Sequence, residues 1–126
     1  MKKLIFLVVV IAAAAAAPSC KKMPNEDFYP TVSCDEPDDS LNTYSLKIST
    51  ILNTNCAKSH CHDATTHKHK VNMEGYANAV NSFKTQHVLC AINHEKNCTP
   101  MPKNADKLSD ADIHDLTCWA KNGYPE

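Results

Sequence analysis

Asn55-Cys56-Ala57-Lys58-Ser59-His60-Cys61-His62-Asp63 is the stretch on which the reading of this chain turns. Four residues separate the two cysteines, and a histidine follows the second directly. A cysteine pair ending in Cys-His lets two thiols add across the vinyl groups of a porphyrin while the neighbouring imidazole sits under the iron. The usual form has two residues between the cysteines. The Cys61-His62 adjacency carries more weight than that spacing, because it fixes the imidazole relative to one anchored edge of the ring. Two extra residues ahead of it can loop out without moving the histidine. The stretch is therefore read as a covalent haem c site with a wide loop, Cys56 and Cys61 giving the thioethers and His62 the proximal iron ligand.

Two other readings use the same residues. Cys56, Cys61 and the histidines His60, His62, His67 and His69 could ligate zinc, and His67-Lys68-His69-Lys70 adds to a metal-binding appearance. The tract lacks a second, distant knuckle at ordinary finger spacing. A plain disulfide between Cys56 and Cys61 is the third reading.

At the N-terminus, Lys2 and Lys3 precede an unbroken apolar run, Leu4 to Ile11, and then Ala12 to Ala17. A charged start, a short apolar centre and small residues before a processing point make a secretory signal over 1–19. Ala17-Pro18-Ser19-Cys20 resembles a bacterial lipoprotein box, with Cys20 as the lipid-bearing first residue. Ala17 stands where such boxes prefer leucine, and ordinary secretory cleavage is the alternative. Either route leads to the cell envelope, where c-type haem is attached.

Removing the first 19 of 126 residues leaves 107, enough for one small domain, and takes the formal net charge from −1 to −3 through the loss of Lys2 and Lys3. That mild acidity offers no footprint for nucleic acid. One Trp, two Phe (Phe6 goes with the removed segment) and four Tyr make a thin core, so a buried haem and disulfides would have to staple it. Residues 20–43 read as a partly disordered tether, with Pro24, Pro30, Pro37 and the acidic pairs Glu26-Asp27 and Asp38-Asp39. Phe28, Tyr29 and Cys34 suggest that its second half lies against the domain formed by 44–126.

Glycines occur at Gly75 and Gly123 alone, and no alternating strand pattern is visible, so the expected class is all-α, with three to four helices. One helix is expected from about Tyr44 to Asn55, with Leu46, Ile48, Ile51 and Leu52 near helical spacing. A second covers about Tyr76 to Phe83 and resumes at Val88 to Ile92. The last follows Ser109 as N-cap, with Asp110 and Asp112 in the first turn, an apolar face of Ile113, Leu116, Trp119 and Ala120, and a stop at Gly123.

Pro100-Met101-Pro102-Lys103 offers a sixth iron ligand. The flanking prolines make a stiff loop, and a thioether opposite imidazole stabilises reduced iron. Met73, His87 and His94 compete for that role. Cys34, Cys90, Cys98 and Cys118 remain after Cys20, Cys56 and Cys61 are assigned; four cysteines allow three pairings. Cys90 with Cys98 would close a short loop before Met101, and Cys34 with Cys118 would then pin the tether to the last helix.

Asn53-Thr54-Asn55-Cys56 through His62-Asp63, the Pro100-Met101-Pro102-Lys103 loop, and Lys107-Leu108-Ser109-Asp110 through Ile113 to Trp119 together resemble the single-haem cytochrome c domains of bacterial envelope lipoproteins. The resemblance covers about Tyr44 to Pro125. It implies a cytochrome c-like fold, Cys56 and Cys61 as haem anchors, His62 and Met101 as axial ligands, and Trp119 packed near the haem. The function so implied is electron transfer to a redox partner protein from a lipid-anchored position, with no catalytic residues. Lys58, Lys68, Lys70, Lys84 and Lys103 would steer an acidic partner. His60, His67, His69, His87, His94 and His114 form no triad-like pattern and read as solvated. Two other classes use the same sequence: a haem enzyme or gas sensor with a displaceable sixth ligand, and a haemless metal-binding lipoprotein.

Overall fold

The computed structural model describes residues 24–126. The signal segment 1–19 and the lipidation site Cys20 lie outside the described residues. Among these residues the chain is all-α: helices and tight turns, with no strand. No helix in this part is long and apolar enough to cross a membrane.

Among the described residues four α-helices follow one another. Helix α1 is Ser49–Asn55, α2 is Tyr76–Thr85, α3 is Val88–Ile92 and α4 is Asp110–Lys121. A π-helical turn, Tyr44–Ile48, leads into α1. Thr43 starts it: its hydroxyl accepts from the Leu46 amide at 3.3 Å, and its carbonyl accepts from the Ile48 amide at 3.1 Å. Ile48, Ile51 and Leu52 are buried, and Leu46 is 67 % exposed. Lying two residues before Ile48, Leu46 falls on the opposite side of the helix and joins the solvent rather than the apolar face.

Helix α4 follows local rules closely. The Ser109 hydroxyl accepts from the Asp112 amide at 3.1 Å, satisfying one of the free donors of the first turn. Ile113, Leu116, Trp119 and Ala120 are buried on one face. At the C-terminus Gly123 takes φ +83°, where a side chain would be strained, and its amide bonds the Ala120 carbonyl at 3.2 Å.

The core gathers on α4. Trp119 is fully buried, with Phe83 at 5.2 Å and Tyr124 at 5.0 Å between ring centroids, both edge to face. Its indole N–H donates to the Pro125 carbonyl at 2.8 Å, and the Tyr44 amide donates to the same oxygen at 2.9 Å. The chain's end is thus folded back over its own core.

The segment read as a tether is held closely from Asn25 onward. It carries two 3-10 turns, Glu26–Thr31 and Pro37–Leu41. Asn25 is fully buried between α2 and α3. Its amide donates to the carbonyls of Phe83 and Gln86, and its oxygen accepts from the Leu89 amide at 2.9 Å. One side chain therefore satisfies groups at the end of one helix and the start of the next. Further along, Cys34 is bonded to Cys118, Lys121 donates to the Val32 carbonyl at 2.7 Å, and Lys47 bridges Asp38 and Asp115 at 3.0 and 3.2 Å. Composition alone argued for a loose segment here. Long-range polar contacts order it, and composition does not encode those.

Candidate functional site

A cavity of about 680 Å³ opens between the Cys56–Val71 loop, helix α3 and the Pro100–Leu108 loop. This lies within the ordinary range of cofactor sites, roughly 300 to 1,000 Å³. Cys56, Cys61, His62 and Met101 all line it, drawn from two loops about 40 residues apart. Val71, Met73, Val88, Ala91, Ile92 and Leu108 give it an apolar floor.

The first loop is built by backbone hydrogen bonds. Helix α1 ends at Asn55 and delivers Cys56, whose amide still bonds the Leu52 carbonyl at 2.8 Å. The His62 amide then returns to the Cys56 carbonyl at 3.1 Å, closing the wide cysteine loop on itself. Within it the Cys61 amide bonds the Lys58 carbonyl at 2.9 Å, and beyond it the Met73 amide bonds the His62 carbonyl at 2.8 Å. Asp63 accepts from the Thr66 amide at 2.5 Å, and that bond holds its carboxyl below the usual carboxylate range. Cys56 and His62 are thus tied through the main chain, and Lys58, Ser59 and His60 between them are exposed.

His62 is oriented from behind. Its Nδ1 lies 3.2 Å from the Val71 carbonyl. A carbonyl only accepts, so Nδ1 carries the proton and Nε2 is left as the lone-pair nitrogen. Metal-bound histidines characteristically have their other ring nitrogen held in this way. Cys56 and Cys61 are free cysteines, not bonded to each other. Burial pushes the Cys56 thiol up to about 12, so near neutral pH it stays protonated.

The second loop is fixed at both ends of its methionine. The Met101 amide bonds the Ala91 carbonyl at 3.0 Å, and the Met101 carbonyl accepts from His94 Nε2 at 3.0 Å. The disulfide Cys90–Cys98, with Cα atoms 5.9 Å apart, closes the turn that leads into this loop. His94 competed for the iron on sequence grounds. It does not line the cavity; it is the residue that holds Met101. Sequence reasoning missed this role, and no local signal marks it beyond a histidine seven residues before the methionine. Met73 and His87 do line the cavity. His87 Nδ1 lies 3.3 Å from the Pro24 carbonyl.

Trp119 was expected beside the haem. It does not line the cavity but forms the centre of the aromatic core, fully buried and with its N–H satisfied. Of the lysines expected near the site, Lys58, Lys68 and Lys103 line the cavity, whereas Lys84 stacks over the Tyr124 ring at 5.3 Å on the core side. Among the described residues, the histidine-rich tract assembles no close group of three metal-ligating side chains. Asp39, His114 and Cys118, on the opposite side of α4, do so.

The donor set fits a covalent haem. Two free thiols, a histidine with one ring nitrogen satisfied and a thioether line a single apolar-floored cavity of adequate volume. Comparison with known proteins adds nothing to this geometry: no protein-family model, no curated protein and no solved structure matches the chain.

Proposed function

We propose that this protein is a membrane-anchored monohaem c-type cytochrome that transfers electrons to a partner protein in the cell envelope. The observation that carries the reading is the convergence of Cys56, Cys61, His62 and Met101 on one cavity. Cys56 and Cys61 would hold the porphyrin as thioethers, and His62 and Met101 would hold its iron, with a cytochrome c-like fold around them. Bound there, haem would supply one-electron Fe(III)/Fe(II) exchange, tuned by imidazole and thioether ligation.

The chain's own part is positional. The Val71 carbonyl holds His62 through Nδ1, which leaves Nε2 as the nitrogen to meet the metal. Ala91 and His94 hold the backbone of Met101, compensating for the weak bond a thioether makes. The apolar floor keeps water from the buried side. Lys58, Lys68 and Lys103 stand at the cavity and would meet an acidic partner. Cys20 would bear the lipid that keeps the domain at a membrane.

The test is a redox titration of protein made with c-type haem maturation. The expected result is a reversible one-electron wave with a thioether-ligated spectrum, moving to lower potential in Met101→His. Haem that extracts into acidic organic solvent from the wild type, or spectra indifferent to changes at both His62 and Met101, would overturn the reading.

A further inference from the structure

Away from the cavity, on the outer side of α4, lies a second group of ligating atoms that electron transfer does not use. Asp39 Oδ1 and His114 Nε2 are 2.9 Å apart, and His114 Nε2 is 3.6 Å from Cys118 Sγ. These three atoms all lie within 4.8 Å of one another. Cys118 Sγ is in turn bonded to Cys34 Sγ at 2.03 Å. We propose that reduction of the Cys34–Cys118 disulfide converts this group into a zinc site with Asp39, His114, Cys118 and Cys34 as its four ligands.

Two thiolates, one imidazole and one carboxylate are donors that zinc accepts in tetrahedral sites, at about 2.3 Å to sulfur and about 2.0 to 2.2 Å to nitrogen or oxygen. Bonds of those lengths in a tetrahedron place neighbouring donors roughly 3.3 to 3.8 Å apart. The His114–Cys118 separation already falls in that interval, and the Asp39–His114 pair needs to open by only a few tenths of an ångström. The two sulfurs must part, and Cys34, which stands outside the close group of Asp39, His114 and Cys118, must swing toward the other two ligands. Cys34 sits on the irregular segment before Pro37 and is half-buried, so it has room for this, while Cys118 is fixed in α4 and fully buried.

The carboxylate is already held from behind. Asn42 Nδ2 donates to Asp39 Oδ1 at 3.2 Å, and the Glu36 amide donates to Oδ2 at 3.1 Å. Such support aims a carboxylate at an ion rather than at solvent. His114 is 37 % exposed at its side chain and gives reductant and metal a way in.

The chemistry balances with a dithiol as reductant. The dithiol is oxidised to its own disulfide, and two electrons and two protons pass to the sulfurs of Cys34 and Cys118, breaking their bond. Zinc then displaces both thiol protons to solvent as it binds the two thiolates, and the Nε2 proton that His114 donates to Asp39 moves to Nδ1, freeing Nε2 for the metal. In the oxidised protein the sulfurs are poor ligands and the site is absent. Metal uptake would thus report the reducing state of the envelope.

The experiment measures zinc retained by the full chain after dialysis against a competing chelator, with and without a phosphine reductant. Reduced wild type should hold one more zinc per chain than oxidised wild type. X-ray absorption at the zinc edge should show two sulfur neighbours and two nitrogen or oxygen neighbours. His114→Ala and Asp39→Asn should each weaken binding by at least about tenfold, and a Cys90→Ser/Cys98→Ser variant should bind as the wild type does. A chain lacking haem would offer zinc to Cys56, Cys61 and His62 as well, but that uptake would survive His114→Ala, so failure of the haem reading is distinguishable. The proposal is overturned by no extra zinc on reduction, by binding indifferent to His114 and Asp39, or by a helical signal lost on reduction and not restored by zinc.

Discussion

The two ends of this molecule are held by opposite means. Around Trp119 the chain closes by packing: Tyr44, Phe83 and Tyr124 set their rings against the indole, and Pro125 caps it. Around the cavity, side chains line a space and the main chain does the holding. Here non-glycine residues also take positive φ most often: His60, His67, His69 and Lys70 in one wall, and His94 and Asn104 in and beside the other, against Tyr124 at the Trp119 end. Such residues cost roughly 1 to 3 kcal/mol each and persist only where their surroundings over-determine them. The bonds from His62 to Cys56, from Met73 to His62 and from Met101 to Ala91 provide that constraint. Side-chain packing gives the protein its stability, and a strained, hydrogen-bonded frame presents its chemistry.

Substitutions should fall on one side or the other of this division. Removing the Cys34–Cys118 bond, whose partners are 84 residues apart, should cost about 4.5 kcal/mol of unfolding free energy. Removing Cys90–Cys98, separated by 8, should cost about 2.5 kcal/mol. Paired alanine variants followed by denaturant unfolding measure both, and equal losses would break the distinction between clamping the fold and stiffening a loop.

Trp119→Ala should lower stability by about 4 kcal/mol while leaving the visible spectrum of haem-loaded protein unchanged. A shifted spectrum with little loss of stability would move Trp119 from the core to the cofactor. Asn25→Ala opens the junction of α2 and α3 and should cost about 2 kcal/mol, read by the same unfolding curves. A loss under half that size would return the segment to the status of a loose tether.

The smallest change in stability, about 1 kcal/mol, is expected for His94→Ala, which removes one half-buried hydrogen bond to Met101. Its functional effect should be plain. With the methionine less firmly held, the reduced variant should bind carbon monoxide more readily than the wild type, followed by optical titration. Unchanged binding would show that His94 does not hold the ligand loop.

What the sequence disclosed divides along similar lines. Helix α4 could be placed from Ser109, Asp110, Asp112 and Gly123 because capping and helix-stop signals act over a few residues. Helices α2 and α3 lie where the sequence reading set them, α2 running two residues further, to Thr85. The pairs joined in the structure are those named from cysteine order, since one pair is local and the other follows from it. Contacts between residues far apart left no local trace. Asn25 reaches groups 58 to 64 residues away, so a segment rich in proline and acid read as loose although one asparagine anchors it. Trp119 was placed beside the cofactor by the resemblance alone, since helical spacing shows which face is apolar but not what covers it. His94 and His114 read as solvated; each is bonded to a partner that only the fold brings near.

The most direct test is tandem mass spectrometry of the proteolytic peptide spanning Cys56 to His62, taken from the full chain made in a host with c-type haem maturation. Porphyrin carried by that peptide on the sulfurs of Cys56 and Cys61 is the expected result. Unmodified thiols on both residues, in a host that loads a control cytochrome, would contradict it.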